Sequence, residues 1–150
     1  MEKQVLIVDP DPQIFRHALA ILPYAGCRVI AEHSANKAMA IAQDCPPHVI
    51  IAPVHILERW ARGLPGKLEE IQATSSLLVT ADRADKSGRW RRWAMSGCEV
   101  LLKPVVHPWQ LYTAVELAIG KIPFVWGRDL RAEQPLAQVL AQPSTSVQAA

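Results

Sequence analysis

The sequence lacks the features that mark several broad classes of protein. No apolar run approaches the length of a membrane span, and the opening Met-Glu-Lys-Gln does not begin a signal peptide. The three cysteines have neither CxxC nor Cys/His ligand spacing, so no zinc motif or disulfide framework is indicated. A net charge of +2 over 150 residues is too small to indicate nucleic acid binding by itself. We therefore expect a cytoplasmic protein that does not enter a membrane and whose thiols are reduced and mostly buried (Cys27, Cys45 and Cys98).

A reactive side chain is also missing after the most apolar segment of the chain. Val49–Ala52 is a continuous apolar run, typical of a central parallel strand that is buried on both faces. The segment from Val54 to Gly63 is predicted to be a long loop with one helical turn, in which Ile56 and Trp60 share a face. Between Pro46 and Leu57 the sequence has no Asp, Glu, Ser, Thr or Tyr. The carboxyl end of this strand therefore offers no nucleophilic oxygen.

Five short apolar segments alternate with segments of helical periodicity over residues 1–121. The predicted strands are Val5–Val8, Arg28–Glu32, Val49–Ala52, Leu77–Thr80 and Val100–Leu102. The predicted helices begin at Pro12 after an Asp11 cap, after a Ser34 cap, near Leu64 and Pro65, near Lys86, and at Pro108. This alternation predicts one α/β domain with a doubly wound, five-stranded parallel sheet. Residues 122–150 are predicted to form a C-terminal extension, partly ordered and then disordered.

The ends of these strands carry the polar residues that point to a family. In an open parallel sheet the functional site lies at the carboxyl ends of the strands, which would bring together Asp9, Asp11, Pro53, Thr80 and Lys103. The order and spacing of four pieces, Val5–Asp9 with Asp11-Pro12, Val79–Ala81, Gly97 and Leu102–Pro104, resemble the receiver domain of two-component response regulators. The resemblance covers residues 1–121 and implies a CheY-like, flavodoxin-like fold. It also implies phosphoryl transfer from a histidine kinase to an aspartate at the end of the third strand, with magnesium bound.

This chain departs from the pattern of that family at two positions. Asp9 matches the first acidic residue after the first strand, but Pro10 replaces the acidic residue expected to hold magnesium. Pro53 falls where the resemblance places the phosphoacceptor aspartate. Acyl-phosphate formation needs a carboxylate nucleophile and a metal ion, and proline supplies no side-chain ligand. We therefore expect no catalytic residue, no metal site and no cofactor.

The remaining polar residues of this vestigial pocket have alternative interpretations. Thr80 and Lys103 match the hydroxyl and lysine that contact the phosphoryl group in the family. Lys103 could instead form a structural ion pair with Asp9, which is our preferred interpretation, and Thr80 could be a polar strand end. Asp11 could be a substitute acceptor, although helix capping explains it better. The lone His55 is more simply interpreted as a solvated loop residue than as a metal ligand or phosphoacceptor.

A basic, tryptophan-rich helix is predicted from about Lys86 to Ser96. One interpretation places its two tryptophans in the core beneath a solvated basic face. The other makes it an interaction surface, because the resemblance implies that the fourth helix, last strand and fifth helix form the output face. The candidate residues of that face are Arg89, Arg92, Val100 and Trp109. Val100 stands at the position of the aromatic switch residue, so no aromatic rotation is expected there.

These patterns lead to a hypothesis of binding rather than catalysis. The chain is interpreted as a stand-alone pseudo-receiver in bacterial signal transduction that binds a protein partner, or a second copy of itself, without phosphorylation. One alternative is a phosphorelay receiver with an unconventional acceptor. Another is a nucleic-acid-binding adaptor that uses the segment Arg89–Trp93, which the low net charge and the lack of a helix-turn-helix disfavour. The sequence identifies no small-molecule ligand.

Overall fold

A five-stranded parallel sheet forms the centre of the protein. The structure, a computed structural model, describes residues 2–63 and 65–120, so the predicted extension 122–150 lies outside the described residues. The strands are β1 (Lys3–Ile7), β2 (Cys27–Ala31), β3 (Val49–Pro53), β4 (Ser76–Asp82) and β5 (Glu99–Lys103). They are arranged in the order β2-β1-β3-β4-β5, with every pairing parallel. The predicted doubly wound α/β fold is confirmed.

Helices pack against both faces of this sheet. They are α1 (Pro12–Ile21), α2 (Ala35–Asp44), α3 (Val54–Gly63), α4 (Pro65–Thr74), α5 (Trp90–Met95) and α6 (Pro108–Ile119), with a 3-10 turn at Leu22–Ala25. The predicted caps are present, because Asp11 accepts a hydrogen bond from the Gln13 N–H at 2.9 Å and Ser34 accepts one from the Lys37 N–H at 3.3 Å. Local side-chain chemistry therefore fixes where α1 and α2 begin.

Alternating residues of the strands pack into two separate hydrophobic cores, one on each face of the sheet. Leu6 and Ile50 point to the core beneath α2, α3, α4 and α5, whereas Val5 and Ile51 point to the core beneath α1 and α6. Because successive strand side chains point to opposite faces, a strand buried on both sides has to be apolar at every position. This requirement explains the continuous apolar run in β3, in which every residue is buried.

The segment after β3 corrects the sequence-based prediction of a loop. Residues Val54–Gly63 form a complete helix of ten residues that begins directly after β3. Ile56, Leu57 and Trp60 are buried, and the Trp60 indole N–H donates to the Ala35 carbonyl at 3.2 Å. The prediction was wrong because the predicted helical turn continues through the whole segment, and burial of its apolar face stabilises it. The β3–β4 crossover therefore contains two helices, α3 and α4.

The basic helix is also shorter than predicted. Only Trp90–Met95 is helical, because the Asp82 and Asp85 carboxylates accept hydrogen bonds from the backbone N–H groups of Ala84 and Ser87, which stabilise turns there. Trp93 is buried and Trp90 packs partly buried against the same core, as one interpretation of the sequence predicted. The segment Arg89–Trp93, on which the nucleic-acid alternative depends, spans the N-cap and the first turn of this six-residue helix.

Two further predictions concern cysteines and membrane segments. All three cysteines are free, as expected, but only Cys27 is buried; Cys98 is half-buried and Cys45 is exposed at the end of α2. The prediction of mostly buried thiols was wrong because Cys45 follows the last turn of α2 and faces away from the core. Within residues 2–63 and 65–120, no helix is both long and apolar enough to cross a membrane.

Candidate functional site

A cavity of about 540 Å³ lies at the carboxyl ends of the strands. Its wall includes all five residues predicted for the vestigial pocket: Asp9, Asp11, Pro53, Thr80 and Lys103. It also includes Pro10, His55, Asp82, Asp85 and Arg89. The parallel order of β1, β3, β4 and β5 produces this assembly, because it places the carboxyl ends of all four strands at one edge.

Asp9 is the buried centre of the hydrogen-bond network in this cavity, with 2% of its surface exposed. Its Oδ2 accepts the Thr80 hydroxyl at 2.5 Å and lies 2.8 Å from the Lys103 ammonium nitrogen. Its Oδ1 accepts the Asp11 backbone N–H at 2.9 Å. Three donors thus satisfy the carboxylate, which offsets the cost of burying its charge.

Asp11 has two roles that the structure makes visible. Its Oδ1 caps α1, and its Oδ2 lies 3.3 Å from the Lys103 ammonium nitrogen. Burial raises the pKa of Asp11, but the Gln13 N–H hydrogen bond and the Lys103 charge outweigh burial, so the pKa lies below its ordinary value. Lys103 is therefore shared between two carboxylates that both accept other hydrogen bonds.

Pro53 ends β3 in register with Thr80, and its side chain is buried at the wall of the cavity. Because α3 begins at the next residue, the chain turns away from the cavity and adds only Val54 and the exposed His55 to its wall after Pro53. Pro10 is exposed and has no oxygen in its side chain. The departures from the family pattern thus lie in the cavity itself.

The donor set of this cavity does not fit magnesium. Mg²⁺ requires several oxygen ligands in near-octahedral order, and neither Pro10 nor Pro53 supplies one from its side chain. The Lys103 ammonium contacts the carboxylates of Asp9 and Asp11, and its charge would repel a cation there. Within the described part of the chain, no group of three His, Cys, Asp or Glu side chains could hold a metal ion.

Arg89 links this cavity to a second one, which sequence reasoning did not find. The second cavity has a volume of about 490 Å³ and lies between α3 and α5. Arg89 lines both cavities, and its guanidinium lies 3.2 Å from the Glu58 carboxylate of α3. No local pattern could have paired residues so distant in the chain, since their contact requires α3 to be a helix.

The four candidate residues of the partner face lie on three elements along the β5 side of the sheet. Arg89 and Arg92 line the cavity between α3 and α5, and Val100 packs partly buried against the core beneath α5. Trp109 belongs to α6 in the opposite helical layer, where it is 57% exposed and makes an edge-on contact with Tyr112. The arginines and the tryptophan are therefore separated by the sheet.

This fold is the one found in response regulator receiver domains. A putative response regulator from Chloroflexus aurantiacus superimposes with a TM-score of 0.62 at 19% identity, over 81% of this chain and 100% of that chain. The chemotaxis response regulator CheY4 of Vibrio cholerae gives 0.59 at 19% identity, over 79% and 99%. The signal receiver domain of a response regulator from Bermanella marisrubri gives 0.62 at 15% identity, over 79% and 99%. No protein-family model and no curated protein matches the sequence.

Proposed function

We propose that this protein is a pseudo-receiver: a cytoplasmic module of bacterial two-component-type signalling that binds a protein without being phosphorylated. The pocket geometry carries the proposal. Lys103 lies 2.8 Å from Asp9 and 3.3 Å from Asp11, and Pro53 supplies no nucleophile at the end of β3. The protein is not an enzyme in this proposal, because the phosphoryl acceptor and the metal ligands that the transfer would need are missing.

A module without a phosphoryl switch has to be regulated by binding. A partner shifts the conformational equilibrium only as far as its affinity differs between two states of the protein. The network of Asp9, Thr80 and Lys103 holds the strand ends in one arrangement without any added group. In this proposal the protein presents one surface unless binding of a partner favours another state.

Exposed apolar side chains at the start of α6 support a protein contact there. Val106 is 78% exposed and Trp109 is 57% exposed, three residues apart. Tryptophan is a favoured anchor of protein interfaces because it buries a large area at low entropic cost. We place the contact on Trp109 and the neighbouring Val106, and we assign the partner as another protein or a second copy of this chain. Val100 packs on the α5 side of the sheet and is not part of this contact.

Exposure to a phosphoryl donor tests whether the protein is phosphorylated. The full chain is incubated with acetyl phosphate and Mg²⁺, and its intact mass is measured. We expect no stable phosphoryl adduct. An adduct that disappears in Asp11→Asn would instead establish Asp11 as an unconventional acceptor, and any other stable adduct would also overturn phosphorylation independence.

Capture of a binding partner tests the proposed protein contact at Trp109. Tagged wild type and Trp109→Ala are used to capture proteins from the source cell, and light scattering of each purified protein reports self-association. We expect Trp109→Ala to lose a captured protein or the self-association, whereas Tyr24→Ala, which removes an aromatic residue that is 88% exposed, should retain it. Equal behaviour of wild type and Trp109→Ala would contradict this placement of the surface.

A further inference from the structure

The cavity between α3 and α5 combines a concave shape with an excess of positive charge. Its charged residues are three arginines and one glutamate: Arg62, Arg89, Arg92 and Glu58. Three positive charges against one negative charge leave a net charge of +2 in a space of about 490 Å³. That volume is typical of small-ligand sites, which occupy roughly 300 to 1,000 Å³.

One of the three arginines, Arg89, already has an acidic partner in the cavity, although its own side chain is 55% exposed. Arg89 lies 3.2 Å from Glu58, whose side chain is only 13% exposed. This ion pair across the cavity joins the segment before α5 to α3 and limits the conformational freedom of the Arg89 side chain. A ligand that bound there would therefore find one guanidinium already positioned, which reduces the entropic cost of binding.

The other two arginines belong to opposite walls of the cavity. Arg62 is in the last turn of α3 and Arg92 is on α5, and both side chains are exposed. Neither forms an ion pair within the described residues. Guanidinium groups are donors only, and Glu58 is the one acidic residue among the residues that line the cavity, so a bound anion would supply further acceptors.

The rest of the wall combines apolar surface with polar side chains, among them the amide of Gln72. Ala61 and Trp93 contribute apolar surface, and the Trp93 indole N–H has no acceptor among the described residues. The Ser96 hydroxyl already donates to the Trp93 carbonyl at 2.8 Å. The cavity thus combines charged donors with an apolar wall, as small-ligand sites commonly do.

We propose that this cavity, defined by Arg62, Arg89, Arg92 and Trp93, binds a small molecule that carries a phosphate monoester. A phosphate monoester has a charge of about −2 at pH 7 and three terminal oxygens, which match the net charge and the three guanidinium groups. Arginine binds phosphate in a planar, bidentate geometry. The apolar wall at Ala61 and Trp93 contacts the organic part of the ligand.

A single cavity favours a small ligand over a nucleic acid. Nucleic acid binding requires cations spread along an extended surface, whereas these arginines converge on one concave site. The proposal goes beyond the protein contact at Trp109, since the two sites lie in opposite helical layers. Either one can fail without the other.

An NMR titration of the full-length protein tests the proposal with two probes, inorganic phosphate and phenyl phosphate. The readouts are the Trp93 indole N–H, assigned by its loss in Trp93→Phe, and the backbone amides of α3 and α5. We expect saturable shifts at constant ionic strength, and tighter binding of phenyl phosphate because its ring adds contact with the apolar wall. Equal affinity for the two probes would overturn the assignment of that wall.

Two substitutions locate the binding site. Arg62→Gln/Arg92→Gln removes the two exposed arginines and should weaken binding ~10-fold or more, since each charge-assisted hydrogen bond contributes on the scale of a tenfold change. The matched control Arg16→Gln/Arg28→Gln removes two exposed arginines elsewhere and should bind as the wild type does. Unchanged affinity in the first variant, shifts that do not saturate, or shifts centred on Thr80 and Lys103 would each overturn the proposal.

Discussion

Two buried carboxylates show how differently single residues can be accommodated in this fold. Asp9 accepts hydrogen bonds from a hydroxyl and a backbone N–H and pairs with the Lys103 ammonium. Glu116 of α6 is 1% exposed, and neither of its oxygens has a hydrogen-bond partner among the described residues. Burial raises the pKa of Glu116 to about 7, and Lys3 opposes this shift only in part. Burial and the nearby Glu116 also raise the pKa of Cys27 to about 11.

Glu116 makes the stability of the protein depend on pH. The pKa of Glu116 rises from 4.5 to about 7 on folding, so the folded protein binds its proton more tightly than the unfolded chain does. The resulting contribution to the free energy of unfolding is fully present below pH 4.5 and is lost as the pH rises through 7. We expect Glu116→Gln, which keeps the shape and removes the buried charge, to stabilise the protein by roughly 2 kcal/mol at pH 8 and by little at pH 5. Thermal unfolding followed by circular dichroism from pH 5 to 8 measures the difference.

The control for this prediction is Glu69→Gln on the exposed surface of α4. The difference in thermal stability between Glu69→Gln and the wild type should stay constant over the same pH range. A Glu116→Gln profile parallel to that of the wild type would contradict the prediction, because it would mean that Glu116 is charged in the folded protein at pH 5.

At the scale of elements, glycines and capping side chains set where helices begin and end. Gly26 follows the turn after α1 with a φ of +80°, and Gly97 follows α5 with a φ of +100°. The sequence misjudged the extent of two helices, α3 and α5. The extent of each depends on contacts outside the segment: α3 packs Trp60 beneath α2, and turns held by Asp82 and Asp85 replace the first part of α5.

Substitution of Gly97 tests this account of helix termination. Gly97→Ala forces a side chain into a left-handed backbone conformation and should destabilise the protein by about 1–2 kcal/mol. Gly66→Ala, within α4 and with open space around the added Cβ, should stabilise it by up to about 1 kcal/mol. Urea unfolding of both variants measures the change in the free energy of unfolding, which should decrease for Gly97→Ala and increase for Gly66→Ala. Equal effects would show that the backbone conformation at Gly97 does not matter.

At the scale of the whole molecule, the described residues contain two complete cores. The core beneath α1 and α6 is closed by α6, in which Leu111, Val115 and Ile119 are buried. The core beneath α2 to α5 is closed by Leu57, Trp60 and other residues of that layer. The proposed domain of residues 1–121 therefore has both faces of its sheet covered.

Truncation tests this domain boundary. We expect residues 1–121 alone to unfold in one cooperative transition at a Tm close to that of the full chain, measured by circular dichroism. Residues 1–107 should lose the cooperative transition, because removal of α6 exposes one face of the sheet. A chain of residues 1–121 that does not fold would place the domain boundary beyond residue 121.

The sequence by itself determined the local elements and the composition of the pocket. Apolar runs identified β1 to β5, and Asp11 and Ser34 marked the starts of two helices, because strand burial and capping depend on neighbours in the chain. Pro10 and Pro53 excluded a metal ligand and a nucleophile at once, since no folding can give proline a side-chain oxygen. Five of the residues around the cavity followed from their positions at strand ends.

Only the tertiary structure decided which side chains from different elements contact one another. It placed Lys103 between Asp9 and Asp11, left Glu116 without a partner, and joined Arg89 to Glu58 across a cavity with Arg62. It also separated the arginines from Trp109. These relations depend on distances between segments that are far apart in the chain. The packing of the helices against the sheet sets those distances, and local sequence patterns do not encode them.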